Sequence, residues 1–150
     1  MPDAKADSFY RIPVSVQSYK DGHFMISVLL IDDDPELLEL ISLEIGDDGD
    51  FAIQTCNSPD EALELAHAQK FDSIVCDFFM PGMDGCSLLK LLRSRGCSAQ
   101  LILYSGKDLD DQIKDSLTHS VDVYLQRQGN PEAEFRKLKE IIRTASLTRR

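Results

Sequence analysis

The chain has no apolar run approaching the roughly 20 residues that a membrane-spanning helix requires, and its N-terminus lacks the apolar core of a secretory signal. No contact with a membrane is expected, and the expected location is the cytoplasm. Basic residues are scarce: 16 Lys and Arg stand against 26 Asp and Glu, a formal net charge of -10. Binding a nucleic-acid backbone takes clustered cations, so no direct nucleic-acid partner is expected. The one basic gathering, Arg143, Arg149 and Arg150, reads as a solvated tail. There is no C-x-x-C pair. Cys56, Cys76, Cys86 and Cys97 lie in or beside apolar runs, which argues against a zinc site and for buried, reduced thiols.

What is present suits one globular domain. The 150 residues are 43% hydrophobic and 28% charged, enough to bury a sizeable core. Residues 1–25 read as an N-terminal extension, because Pro2, Pro13 and Gly22 interrupt a polar stretch with no sustained period. From Ile26 short β-rich runs alternate with longer helical segments, the pattern of a parallel sheet covered by helices on both faces. The strand candidates are Ile26 to Ile31, Phe51 to Cys56, Ser73 to Cys76, Leu101 to Tyr104 and Asp122 to Leu125. The first, third and fourth are almost continuously apolar, as strands buried on both faces should be. Helix starts are marked by Asp34-Pro35, by Ser58-Pro59-Asp60-Glu61 with its capping box, and by Asn130-Pro131. A third helix runs through Leu88, Leu89, Leu91 and Leu92 to Gly96, and a sparse fourth spans about Asp108 to His119.

The chemistry gathers where strands end. The first strand closes on Asp32-Asp33-Asp34 and the third on Asp77, followed by the turn cluster Met80-Pro81-Gly82-Met83-Asp84-Gly85. In open parallel sheets that carboxyl edge is where ligands bind. Two carboxylates about 4 Å apart repel by roughly 4 kcal/mol at an effective dielectric of about 20, so such a cluster needs solvent or a cation. Mg²⁺ fits, since it commonly uses one or two carboxylates together with waters and a substrate phosphate. Ser105 after the fourth strand and Arg127 after the fifth would add a hydroxyl donor and a cation. Taken singly, Asp32 to Asp34 read as a cap with solvated acids, Ser105 as a turn residue and Arg127 as a surface charge.

Together these residues resemble the response regulator receiver domains of two-component signalling. The resemblance rests on L-L-I-D-D-D-P, D-F-F-M-P-G-M-D-G, L-I-L-Y-S-G and V-Y-L-Q-R, and covers Ile26 to about Ala145. The run Y-L-Q-R-Q-G-N-P is similar to a subgroup common in archaeal single-domain receivers. The resemblance implies a flavodoxin-like, doubly wound (βα)5 sandwich with strand order 2-1-3-4-5, occupying residues 26–146 and followed by a tail at 147–150. It implies Asp77 as phosphoacceptor and Asp32, Asp33, Asp77 and the backbone carbonyl of Phe79 as holders of Mg²⁺. Ser105 and Arg127 would bind the phosphoryl group, and Ser105 and Tyr124 would switch. A partner kinase phosphohistidine would donate the phosphoryl group to Asp77, so that the domain catalyses its own modification. The face of the fourth helix, fifth strand and fifth helix would then change and alter partner binding. Implied partners are a sensor histidine kinase or phosphotransfer protein and a downstream effector, with a homodimer through the same face left open.

Two residues depart from the family pattern. Receivers usually carry lysine where this chain has Arg127 and proline where it has Gln128. Arginine keeps the charge and can fork onto phosphate, but its planar head needs more room. A phosphorylation-independent pseudo-receiver is therefore a second reading. A third, from another class, is the Mg²⁺-dependent haloacid-dehalogenase-like phosphatase, which Asp32-x-Asp34 resembles; it would need its nucleophile on the first strand. No effector domain is expected after Ala145.

Overall fold

The computed structural model describes residues 19–20, 23–106, 109–117 and 119–149. The expectations for residues 1–18, for a helix start at Asp108 and for Arg150 lie outside them. Five strands, β1 (Ile26–Ile31), β2 (Phe51–Cys56), β3 (Ser73–Cys76), β4 (Gln100–Ser105) and β5 (Val123–Gln126), alternate with five helices. These are α1 (Pro35–Gly46), α2 (Pro59–Ala68), α3 (Gly85–Ser94), α4 (Asp111–Leu117) and α5 (Pro131–Arg149). All pairings in this sheet are parallel and the order is β2-β1-β3-β4-β5. The expected doubly wound fold is observed. The chain order reverses at β1, so the crevice opens at the carboxyl ends of β1 and β3. Ahead of the sheet Tyr19–Lys20 pairs antiparallel with His23–Phe24, regular structure that no periodicity in that stretch announces.

The pleat explains the apolar strands. Leu29, Ile31, Ile74, Cys76, Leu101 and Leu103 point to one face, against Ala62 of α2, Leu88, Leu89 and Leu92 of α3 and Leu117 of α4. Val28, Leu30, Val75, Ile102, Tyr104 and Leu125 point to the other, against Leu38, Ile41 and Ile45 of α1 and Phe135, Leu138 and Ile142 of α5. Neither face of the sheet is wet, so alternation with polar residues disappears. The four cysteines are free thiols, three of them buried, and burial raises the Cys76 thiol well above its ordinary value.

Helix caps set the loops at the carboxyl edge. Asp34 Oδ1 accepts from the N–H groups of Glu36 (3.1 Å) and Leu37 (3.3 Å), satisfying donors that the first turn leaves unpaired. Ser58 Oγ accepts from Glu61 N–H at 3.2 Å, and Glu61 Oε1 reaches back to Asn57 N–H at 3.4 Å, one residue earlier than in the usual box. Asp84 caps α3 through Ser87 N–H at 2.7 Å, and Asn130 caps α5 through Ala133 N–H at 3.2 Å. Arg143 corrects one expectation: it is no solvated tail charge. Its guanidinium pairs with Asp48 and Asp50, each at 2.7 Å, and lies over the Phe51 ring, because α5 packs beside the start of β2.

The turn after β3 closes on Gly85, whose N–H donates to the Phe78 carbonyl at 2.7 Å. A Cβ at Gly85 would lie 2.0 Å from the Asp77 carbonyl oxygen, a backbone atom that cannot swing aside. Gly85→Ala is expected to lower unfolding free energy by about 3 kcal/mol in chemical denaturation. Gly46→Ala, where the added carbon meets only Ile53 at 3.5 Å, is expected to be neutral or slightly stabilising in the same measurement.

Candidate functional site

β1 and β3 deliver the carboxylates. Asp32 N–H continues the ladder onto the Cys56 carbonyl at 3.2 Å, and Asp77 N–H donates to the Ile31 carbonyl at 3.0 Å, which sets Asp77 beside the end of β1. One oxygen from each of Asp32, Asp33 and Asp77 lies within 4.8 Å of the others. Asp32 is buried, Asp77 partly buried and Asp33 exposed. Burial pushes the Asp32 carboxyl up to about 7; the Asp34 N–H bond, at 2.9 Å to Oδ1, opposes this and the Asp77 charge adds to it. Burial also raises Asp77, against the opposing charge of Arg127.

Arg127 supplies the compensating charge. Its Nη2 is 3.2 Å from Asp77 Oδ1 and 3.9 Å from Asp32 Oδ2. One guanidinium against three carboxyls leaves the cluster acidic, and the donors are all hard oxygens. That set suits a hard divalent cation with free positions for water.

The remaining sequence candidates sit around this cluster. Ser105 ends β4 fully buried, and its carbonyl accepts from Arg127 N–H at 2.8 Å. Tyr124 pairs with Leu103 in the middle of β5, packed against the core beneath α2, α3 and α4. Phe79 lies on the loop after Asp77, its ring exposed and edge-on to Phe78 at 4.7 Å. The structure thus gathers one oxygen each of Asp32, Asp33 and Asp77 within 4.8 Å of one another, with Arg127 paired to Asp77 and near Asp32, and Ser105 joined to Arg127 through the backbone.

Sequence reasoning missed Tyr104, Gly106 and Glu134. The Tyr104 ring lies under the Arg127 guanidinium, 5.0 Å from Cζ to the ring centroid. A Cβ at Gly106 would come within 3.3 Å of Arg127 Cζ, so glycine there leaves the room that the planar head needs. Tyr104 O–H donates to Glu134 Oε1 at 3.0 Å. A phenol in the otherwise apolar run L-I-L-Y was the available signal, since a buried tyrosine hydroxyl needs a partner. Nothing in the sequence said which partner.

A doubly wound parallel sheet with an acidic cluster at its switch point defines an α/β domain whose ligand-binding edge suits a hard cation. The family model for the response regulator receiver domain matches residues 28–139, and the chain belongs to that family. Among similar proteins is the "probable transcriptional regulatory protein" TcrX of Mycobacterium tuberculosis, 30% identical over 124 residues, covering 82% of this chain and 52% of TcrX. The nitrate/nitrite response regulator protein NarL of Escherichia coli is 28% identical over 115 residues, covering 76% of this chain and 53% of NarL. The chain spans about half the length of these curated relatives. Among solved structures, the receiver domain of a Francisella response regulator is similar at TM-score 0.69 and 28% identity, covering 83% of this chain and 99% of that one. The Thermotoga maritima response regulator TrrA, solved with Mg²⁺ and BeF, is similar at TM-score 0.69 and 26% identity, covering 81% and 99%. Receiver domains act in two-component signal transduction, bind Mg²⁺ at an acidic pocket and interact with histidine kinases and effectors. No described helix is long and apolar enough to cross a membrane.

The raised Asp32 carboxyl makes a signed prediction for the metal-free protein. Below about pH 4 it is protonated in both folded and unfolded states and costs nothing. As pH rises from there toward 7 the unfolded chain ionises while the folded one resists, so stability falls and then levels off above the folded value of about 7. Asp32→Asn keeps the oxygen that accepts from Asp34. It is expected to raise unfolding free energy by roughly 2 to 4 kcal/mol at pH 8, with the gain gone near pH 4, in urea titrations across that range.

Proposed function

We propose that Asp77 accepts a phosphoryl group from the phosphohistidine of a sensor histidine kinase or phosphotransfer protein, and that the modified chain changes its binding to a downstream effector. The observation that carries this reading is the Asp77 carboxylate itself, at the end of the central strand of a receiver fold, within 4.8 Å of two further carboxylates and 3.2 Å from a guanidinium. An Asp77 oxygen attacks phosphorus in line; the new O–P bond forms as the P–N bond to the donor imidazole breaks, and the imidazole leaves with the bonding pair. Arg127 Nη2 offers a donor to the phosphoryl oxygens, and the Ser105 hydroxyl offers another from β4. Asp32, Asp33, Asp77 and the Phe79 backbone carbonyl are the proposed holders of Mg²⁺. When bound, that ion supplies charge neutralisation at the transferring group. Phosphorylation adds about -1.5 to -2 charge units at neutral pH, drawing Ser105 and Arg127 together and freeing space for Tyr124. The α4-β5-α5 face is then the surface that partners, or a second copy, would read. On this reading the protein works in the cytoplasm.

The pseudo-receiver reading draws on one observation: Arg127 already engages Asp77 Oδ1, so an incoming phosphoryl group must displace or share that contact. The two readings separate by intact mass after incubation with Mg²⁺ and a small-molecule phosphodonor. Wild type is expected to gain one phosphoryl group, Asp77→Ala none, and chelation of Mg²⁺ is expected to slow the reaction on the order of 100-fold or more. No adduct on wild type, under conditions that modify a lysine-containing receiver, would overturn the phosphoacceptor assignment. Equal binding of a partner by Asp77→Ala and by wild type treated with phosphodonor would favour the pseudo-receiver.

A further inference from the structure

Arg127 is held in an unusual way. Its Nη2 pairs with Asp77, but its Nε is buried with no hydrogen-bond partner among the described residues, so hydrogen bonds alone do not explain its placement. Below it lies the Tyr104 ring, and that ring is tied down in turn: Tyr104 O–H donates to Glu134 Oε1 at 3.0 Å. The second oxygen of Glu134 accepts from the N–H groups of Gln128, at 2.6 Å, and Asn130, at 3.2 Å. Gln128 is the residue after Arg127, and a proline there would have no N–H to give. One carboxylate on the first turn of α5 therefore fastens both the aromatic surface under the guanidinium and the peptide that follows it. These three bonds hold the Glu134 carboxyl below the usual range although burial opposes them, and burial and the Glu134 bond both raise the Tyr104 phenol, which stays a donor.

The geometry points to Glu134 and Tyr104 as positioning residues that hold the Arg127 guanidinium on Asp77 and so set how tightly the acidic cluster takes a divalent cation. The inference rests on the cation reading of that cluster. A guanidinium fixed against Asp77 and near Asp32 competes with any second cation for the same oxygens, and fixing it in advance removes the entropy it would otherwise lose in pairing. Loosening the staple weakens the competitor.

Calorimetric titration of Mg²⁺ alone onto the unphosphorylated chain tests this. Arg127→Ala is expected to tighten Mg²⁺ binding roughly tenfold, by removing one positive charge beside the site. Tyr104→Phe keeps the ring and loses only the bond to Glu134; it and Glu134→Gln are each expected to tighten binding roughly threefold, about the worth of one hydrogen bond. The two effects are expected to be non-additive together and to vanish in the Arg127→Ala background. The Glu134→Gln direction is diagnostic, because losing a nearby negative charge would by itself weaken cation binding. If Glu134→Gln does not fold, Tyr104→Phe with and without Arg127 carries the same test. A Mg²⁺ affinity unchanged or weakened in Tyr104→Phe and Glu134→Gln, or shifted equally with and without Arg127, would sink the positioning role and leave the cation reading standing. Absence of Mg²⁺ binding in wild type and in Arg127→Ala would sink both.

Discussion

The structure depends on how the crowded negative charge at the ends of β1 and β3 is accommodated. Parallel pairing brings Asp77 N–H to the Ile31 carbonyl, and with it three carboxyl groups to within 4.8 Å of one another. At about 4 Å each ionised pair costs roughly 4 kcal/mol at an effective dielectric of about 20, and burial of Asp32 adds to the cost. A fold selected for stability alone would not place them there. Arg127 offsets part of the repulsion through contacts of 3.2 and 3.9 Å, and the residual acidity makes the edge receptive to a further cation.

A sheet that holds such an edge has to be stiff. Two dry faces supply this: side chains alternate between a core under α2, α3 and α4 and a core under α1 and α5, so a one-residue slip would send every side chain of a strand into the opposite core and undo the packing of both. The loops after β1, β2, β3 and β5 end in side-chain caps at Asp34, Ser58, Asp84 and Asn130. Stability is therefore concentrated in the strands and helices, while the reactive groups occupy the boundary between strand end and capped helix.

The same physics decides what could be read in advance. Strands buried on both faces announce themselves as apolar runs, and caps are local in sequence, so β1 to β5 and the starts of α1, α2 and α5 were legible from residues within a few positions of one another. Arg143 was misread because its partners Asp48 and Asp50 are 95 and 93 residues away and become neighbours only when α5 docks. Tyr104 and Glu134 escaped for a like reason: their bond joins residues 30 apart, across two elements whose relative height no periodicity records. The short Tyr19–Lys20 and His23–Phe24 ladder has two residues a side, too few to show a period.

The residues that depart from the family pattern form one unit. A guanidinium in place of an ammonium needs a flat surface, lateral room and a fixed backbone behind it. Tyr104 provides the surface, Gly106 the room, and Gln128 the N–H through which Glu134 holds the backbone. Exchanging Arg127 for lysine alone would leave the ring of Tyr104 facing a flexible chain, and Gly106 flanking an empty space. Exchanging Gln128 for proline alone would remove the 2.6 Å bond, with Glu134 still ionised beside a proline ring. Arg127, Gln128, Tyr104, Gly106 and Glu134 are thus joined by direct contacts, and through them the placement of the guanidinium on Asp77 depends on all five.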